Sequence, residues 1–216
     1  MTLSVENLTI SNGTVPLISS VTFSVNQGEV LTLMGPSGCG KSSLLSAVAG
    51  HLSPTFTLQG KISLNNRSMN ELEPDQRRIG ILFQDDLLFP HLNIWENLAF
   101  GLSRNIKRSD RKKHAIATLQ QIGLEELANH MPTEISGGQR ARISLMRTLL
   151  AKPEAVLLDE PFSKLDKELR TAFRQFVFEQ IKAQNIPALM VTHDDDDIPE
   201  GGNVLRWPWN KESRHD

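Results

Sequence analysis

Eight residues of this chain could grip a phosphate group. Gly35, Pro36, Ser37, Gly38, Cys39, Gly40, Lys41 and Ser42 spell G-x-x-x-x-G-K-S, the spacing of a phosphate-binding loop, and Ser43 extends the polar run by one residue. The glycines let the backbone turn tightly and leave its N–H groups bare toward an anion. The Lys41 ammonium can reach β- and γ-phosphates, and the Ser42 hydroxyl can ligate Mg²⁺. Asp159 and Glu160 close an apolar run, Val156, Leu157 and Leu158. Asp159 suits Mg²⁺, directly or through water, and Glu160 suits a water attacking a γ-phosphate. His193 ends another apolar run and could hydrogen-bond the γ-phosphate or that water. Gln84 ends a third and could touch the metal or the water. Ser136, Gly137, Gly138 and Gln139 form a second bare helix start, with Ser136 as N-cap. Taken singly, the acids could cap a turn, the histidine could be structural and the glutamine could be a solvated strand end.

These residues need elements to hold them. The run 30–34 reads as a buried strand and residues 43–49 as a helix stopped by Gly50, which puts the glycine-rich loop between strand and helix. Before it, Leu3/Val5, Leu8/Ile10 and Val21/Phe23/Val25 read as short strands separated by Asn12-Gly13 and by residues 26–28. Residues 60–66 and 79–83 read as further strands. Helical spacing then takes over, with Ala115, Leu119 and Ile122 on one helix and Ile143, Met146 and Leu150 on another. Strand texture returns at 155–158, 188–192 and 204–206. A helix in between carries Leu169, Ala172, Phe173, Phe176 and Val177. Strand–helix alternation predicts an α/β fold, a parallel sheet covered by helices. The expected division is a nucleotide-binding core from 1–84 and 153–216, interrupted by a helical subdomain over 85–152.

Composition narrows the classes. The chain has 216 residues, 39% hydrophobic and 22% charged, which fits one globular domain. A formal net charge of −2 gives no reason to expect a nucleic-acid partner. No apolar run is long enough to span a membrane, and the start is not a basic-then-apolar leader. A single cysteine excludes an intrachain disulfide framework. That cysteine, Cys39, sits near Lys41 and a helix start, conditions that favour a reactive thiolate. The acids at 194–197 are expected to cap a turn or sit in water rather than bind metal. The basic stretch 104–114 reads as a solvated helix start.

In this order and spacing the motifs resemble the ATP-binding cassette (ABC) ATPase family, over nearly the whole chain. Residues 35–42 match Walker A, Gln84 the Q-loop and 135–139 the signature, with Ile135 for the usual leucine. Residues 156–160 match Walker B, 163–166 the D-loop and His193 the switch histidine. The resemblance implies a P-loop NTPase fold: a RecA-like parallel sheet, N-terminal antiparallel strands and an inserted helical subdomain. It implies ATP and Mg²⁺ as ligands, with Ser42, Gln84 and Asp159 at the metal, and Glu160 and His193 as catalytic groups. It also implies a head-to-tail homodimer in which Ser136, Gly137, Gly138 and Gln139 of one copy cover the nucleotide of the other. More narrowly, 80–89 and 157–163 are similar to the cassette of a bacterial importer, and the whole chain is similar to importer cassettes of the YnjD type. Those work at the cytoplasmic face of the inner membrane with permease subunits and, indirectly, a solute-binding protein. Residues 85–102, rich in apolar side chains, would line the permease groove.

One departure stands out. The family stacks adenine on an aromatic residue just before the glycine that is Gly13 here; this chain has Asn12 there and no tyrosine anywhere. An exporter cassette is one alternative, because the direction of transport is fixed by the partners. A soluble ABC ATPase acting on nucleic acid or ribosomes is another, although the second cassette or long coiled-coil insertion usual in those relatives is not visible in these residues. A small-molecule kinase would leave residues 136–139 without a purpose.

Overall fold

The computed structural model describes residues 1–209. The chain falls into two units, each described by itself. The first comprises Met1–Ile81, Glu154–Glu160 and Phe178–Asp216, the last described to residue 209. The second comprises Leu82–Pro153 and Pro161–Val177.

The first unit contains two sheets. In the antiparallel one, β1 (Thr2–Asn12) lies between β2 (Val15–Asn26) and β4 (Phe56–Leu64), and the two-residue β5 (Arg67–Ser68) closes the edge. Residues 3–10 form one strand here rather than two short ones. The register with β2 shifts between Val5 and Leu8 and again before Ile10, and Asn7 takes φ 49°. These irregularities keep Val5, Leu8 and Ile10 on the buried face despite the polar Glu6-Asn7 step, as bulges do. The second sheet has the order β6-β7-β8-β3-β9, with β3 (Val30–Met34), β6 (Ile79–Leu82), β7 (Ala155–Asp159), β8 (Ala188–Thr192) and β9 (Asn203–Arg206). Strands β7, β8, β3 and β9 run parallel.

All five residues of β3 and of β8 are buried, the pattern of a central parallel strand covered on both faces. Leu31 and Leu33 join Leu44, Leu45 and Val48 of α1 (Lys41–Ala49) and the inner face of the antiparallel sheet in one core. Each such fully buried aliphatic side chain contributes about 1.5–3 kcal/mol. Thr32 is also fully buried, and its hydroxyl makes no hydrogen bond among the described residues. Helix α1 ends as expected at Gly50, φ 87°, where the N–H of His51 returns to the carbonyl of Ser46. Arg77, 5% exposed, donates to the carbonyls of Ala47 (2.8 Å), Val48 (2.9 Å) and Leu72 (2.9 Å). Burial lowers its pKa, and Glu73 opposes that; the retained positive charge complements the negative end of the helix.

The second unit is helical: α2 (Ile94–Gly101), α3 (Arg108–Gln121), α4 (Gly137–Leu150) and the start of α5 (Lys167–Gln184). Asn93 caps α2 in a full capping box with Glu96. Asn97, fully buried, holds the preceding loop. Its amide donates to the carbonyls of Phe89, Leu92 and Asn93, and its oxygen accepts from the N–H of Phe89. Ile143, Leu145, Met146 and Leu149 form the buried stripe of α4, while Leu150 is half-buried. On α5, Phe173 and Val177 are core, but Leu169 is 39% exposed and Ala172 is exposed as well. The expected apolar face of α5 therefore begins later than its periodicity suggests. Among the described residues no helix is long and apolar enough to cross a membrane.

Candidate functional site

Strand β3 delivers the chain into the glycine-rich loop and α1 carries it away. Between them Gly38 (φ 81°) and Gly40 (φ 98°) take left-handed backbone, which lets the loop curl ahead of the helix. Gly40 is the N-cap of α1, and no side chain among the described residues caps the helix. The first N–H groups of α1 thus keep the anion-seeking character of a bare helix start. Lys41, 6% exposed, donates through Nζ to the carbonyls of Gly35 (2.7 Å) and Pro36 (3.0 Å). It borders a cavity of about 260 Å³ with Ser37, Gly38, Gly40, Ser42, Ser43, Glu160 and Leu17. A cationic ammonium, serine hydroxyls and a bare helix start in one cavity fit a phosphate chain.

Strand β7 brings the carboxylates. The Ser42 hydroxyl donates to Asp159 Oδ1 at 3.4 Å. Burial and then the charge of Glu160 raise the pKa of Asp159, while the Ser42 bond and Lys41 lower it. Negative charge is therefore held in a partly dry place beside a hydroxyl. Hard oxygen donors of this kind suit Mg²⁺, whose charge would relieve the repulsion between the two acids. Glu160 has φ 45°, an uncommon conformation for a residue with a side chain, and its N–H donates to the carbonyl of Val191 in β8. Its Oε2 lies 3.3 Å from Nδ1 of His193, which follows β8.

The turn behind His193 is fixed by the acidic run. Thr192 Oγ1 donates to the buried Asp197 (2.7 Å), Asp194 accepts from the N–H of Asp196 (3.0 Å), and Asp195 pairs with Arg206. The carboxylates of Asp194, Asp195 and Asp197 each have a structural partner.

The structure thus gathers Lys41, Ser42, Asp159, Glu160 and His193 in the first unit. Gln84 belongs to the second unit. There it borders a cavity of about 240 Å³ with Phe83, Asp86, Gly137, Arg140 and Ser144. Ser136 caps α4 in a full capping box: its hydroxyl accepts from the N–H of Gln139 (3.3 Å), and the Gln139 side chain accepts from the N–H of Ser136 (2.8 Å). Asp86 and Leu87 are tied to α4 by Arg140, Ser144 and Arg147. Lys164 pairs with Asp85.

A family model for ABC transporters matches residues 18–163, which contain the loop, both carboxylates and the α4 start. The chain belongs to the ABC transporter family. It is 45% identical, over 94% of both chains, to an Escherichia coli K12 protein described as the uncharacterized ABC transporter ATP-binding protein YnjD. It is 39% identical to the spermidine/putrescine import ATP-binding protein PotA of Legionella pneumophila (strain Philadelphia 1), over 87% of this chain and 51% of that one. It is also 39% identical to the Fe(3+) ions import ATP-binding protein FbpC 2 of Haemophilus influenzae, over 90% of this chain and 55% of that one. The chain spans about half the length of these last two relatives. As an ABC transporter cassette it binds and hydrolyses ATP, and the fold is the α/β P-loop NTPase fold. Cassettes of this family work as dimers with membrane permeases.

One expectation needs correction. Cys39 is 8% exposed and belongs to the hydrophobic core, so the reactive thiol expected from its neighbours is a packed one. The permease-groove residues divide: Leu87 and Phe100 are exposed (54% and 66%), whereas Leu88 is buried and Phe89, Leu92 and Trp95 are half-buried. Residues that sequence reading missed include Leu17, which borders the phosphate cavity from β2, and the Thr192–Asp197 lock behind His193. For Leu17 the only signal was its place on the strand after Gly13.

Proposed function

We propose that this chain is the energising cassette of a bacterial importer, held peripherally at the cytoplasmic face of the inner membrane by permease subunits served by a solute-binding protein. The observation that carries the mechanism is the meeting of Lys41, Ser42, Asp159, Glu160 and His193 around one short stretch of loop and two strand ends. Lys41 and the bare start of α1 bind the β- and γ-phosphates of ATP. Ser42 and Asp159 would hold Mg²⁺. Bound Mg²⁺ would neutralise charge developing on the phosphate oxygens. Glu160 takes a proton from the attacking water, and its left-handed backbone sets the carboxylate beside His193. His193 orients Glu160 and contacts the γ-phosphate. Leu17 offers an apolar wall for the nucleotide in place of the missing aromatic residue.

The second half of each site comes from another copy, whose Ser136, Gly137, Gly138 and Gln139 present the α4 start to the γ-phosphate. Closing and reopening of this dimer passes to the permease through the exposed Phe83, Leu87 and Phe100. The test is Glu160→Gln. Turnover should fall about a hundredfold or more while ATP still binds, because a general base is lost and the phosphate grip is not. Size-exclusion chromatography with Mg-ATP should then show a trapped dimer. A variant that binds ATP yet stays monomeric would refute the two-copy site.

A further inference from the structure

We propose that the segment after β9, through Trp207 and Trp209, is a strap that positions the phosphate-binding loop, with Trp209 as its positioning residue. Trp209 is 2% exposed, and its indole Nε1–H donates to the carbonyl of Met34 at 3.0 Å. The backbone N–H of Trp207 donates to the same carbonyl at 2.9 Å. Met34 is the last residue of β3. The next carbonyl along the chain, that of Gly35, receives the Lys41 ammonium. Two donors thus fix one peptide plane, and its neighbour holds the residue that grips phosphate.

Packing points to the same place. A Cβ built on Gly35 would meet Trp207 Cβ at 3.0 Å and Cys39 Sγ at 2.8 Å, so the strap and the thiol both pack close against the loop at Gly35. The two indoles stand edge to face, 4.9 Å apart, which keeps Trp209 tucked in while Trp207 is 38% exposed. Trp209 belongs to the same core as Cys39 and Leu44 of α1. A buried carbonyl with two donors resists rotation, because losing either leaves it under-bonded in a dry environment. The loop's geometry therefore depends on a residue 175 positions further along the chain.

The proposal rests on ATP's phosphates lying in residues 35–42, and the test separates the two. Trp209→Phe keeps a ring in the core and removes the N–H. Binding of a fluorescent ATP analogue with Mg²⁺ to the full chain, at a temperature where it is folded, should weaken about fivefold, the worth of one buried hydrogen bond. Leu64→Ala, a cut elsewhere in the same core, should lower the melting temperature and leave that affinity unchanged. Lys41→Ala should lose binding. If Lys41→Ala binds normally, the phosphate site itself is misplaced. If Lys41→Ala fails to bind but Trp209→Phe binds like the wild type, the strap alone is overturned.

Should Trp209→Phe not fold, the wild type serves. By linkage, a strap that favours nucleotide binding must be favoured by nucleotide in return. In a chain labelled with ¹⁵N-tryptophan and ¹⁵N-leucine, a non-hydrolysable ATP analogue with Mg²⁺ should slow exchange of the Trp209 indole N–H. The slowing should exceed that of the backbone amides of Leu3 and Leu64 by about fivefold. Equal slowing of all three would overturn the strap.

Discussion

At the start of α1 the N-cap is Gly40, with left-handed backbone and no capping side chain, whereas at the start of α4 Ser136 and Gln139 close a reciprocal capping box. Both helices begin with N–H groups that have no partner within the helix and that an anion could satisfy. Only α4 supplies part of that satisfaction itself. The first turn of α1 is thus built to be completed by a ligand, and α4 is built to stand without one. That difference suits a site made in two halves. In the proposed two-copy site, one half would hold nucleotide tightly within its own chain, and the other would remain folded until a second copy met it.

Substitutions at the two starts would break or sharpen this contrast. The largest effect is expected for Gly40→Ala. The new Cβ would adopt left-handed backbone and meet Ile18 and Leu17 at 3.0–3.1 Å. The backbone penalty alone is about 1–2 kcal/mol. Thermal unfolding should register that loss, and nucleotide binding should weaken by about tenfold or more because the loop is reshaped. Ser136→Ala should come next. It removes one half of the capping box at a cost of about 1 kcal/mol, while nucleotide affinity of the isolated chain stays at the wild-type value. A loss of affinity there would mean that the two helix starts are not independent. The smallest stability effect is expected for Gly137→Ala. Its Cβ would meet only Arg140 Nη2 at 3.7 Å, so stability should change by no more than about 0.5 kcal/mol. ATP turnover should nevertheless fall, because the methyl group covers the bare face offered to the second copy.

The sequence was most legible where structure is local. The spacing of Gly40, Lys41 and Ser42 between an apolar run and a helix stopped by Gly50 needs only neighbours in the chain, and the structure has that strand, loop and helix. The capping box at Ser136 is local in the same way. Legibility failed where one side chain acts across a long separation. Nothing in the sequence around Arg77 marks it, yet its guanidinium closes the far end of α1. Trp207-Pro208-Trp209 carries no periodicity, so nothing in the run shows that one indole is buried and the other is not. Cys39 misleads for a related reason. Its charged neighbours and helix start are visible in sequence, but the direction of Sγ toward Gly35 and the core is set by the left-handed turns at Gly38 and Gly40. Strand β1 reads as two pieces around Glu6-Asn7 because a bulge interrupts the alternation that marks a strand.

The central claim is that each complete site takes its phosphate loop from one copy and its α4 start from another, and mixing two inactive variants tests it most directly. Lys41→Ala and Gly137→Trp should each lack ATPase activity alone. Mixed in equal amounts, half of the dimers pair one of each, and every such pair keeps one intact site. Activity should therefore return to about a quarter of the wild-type level, the share set by two-fold head-to-tail pairing. No activity above that of the separate variants would contradict the account.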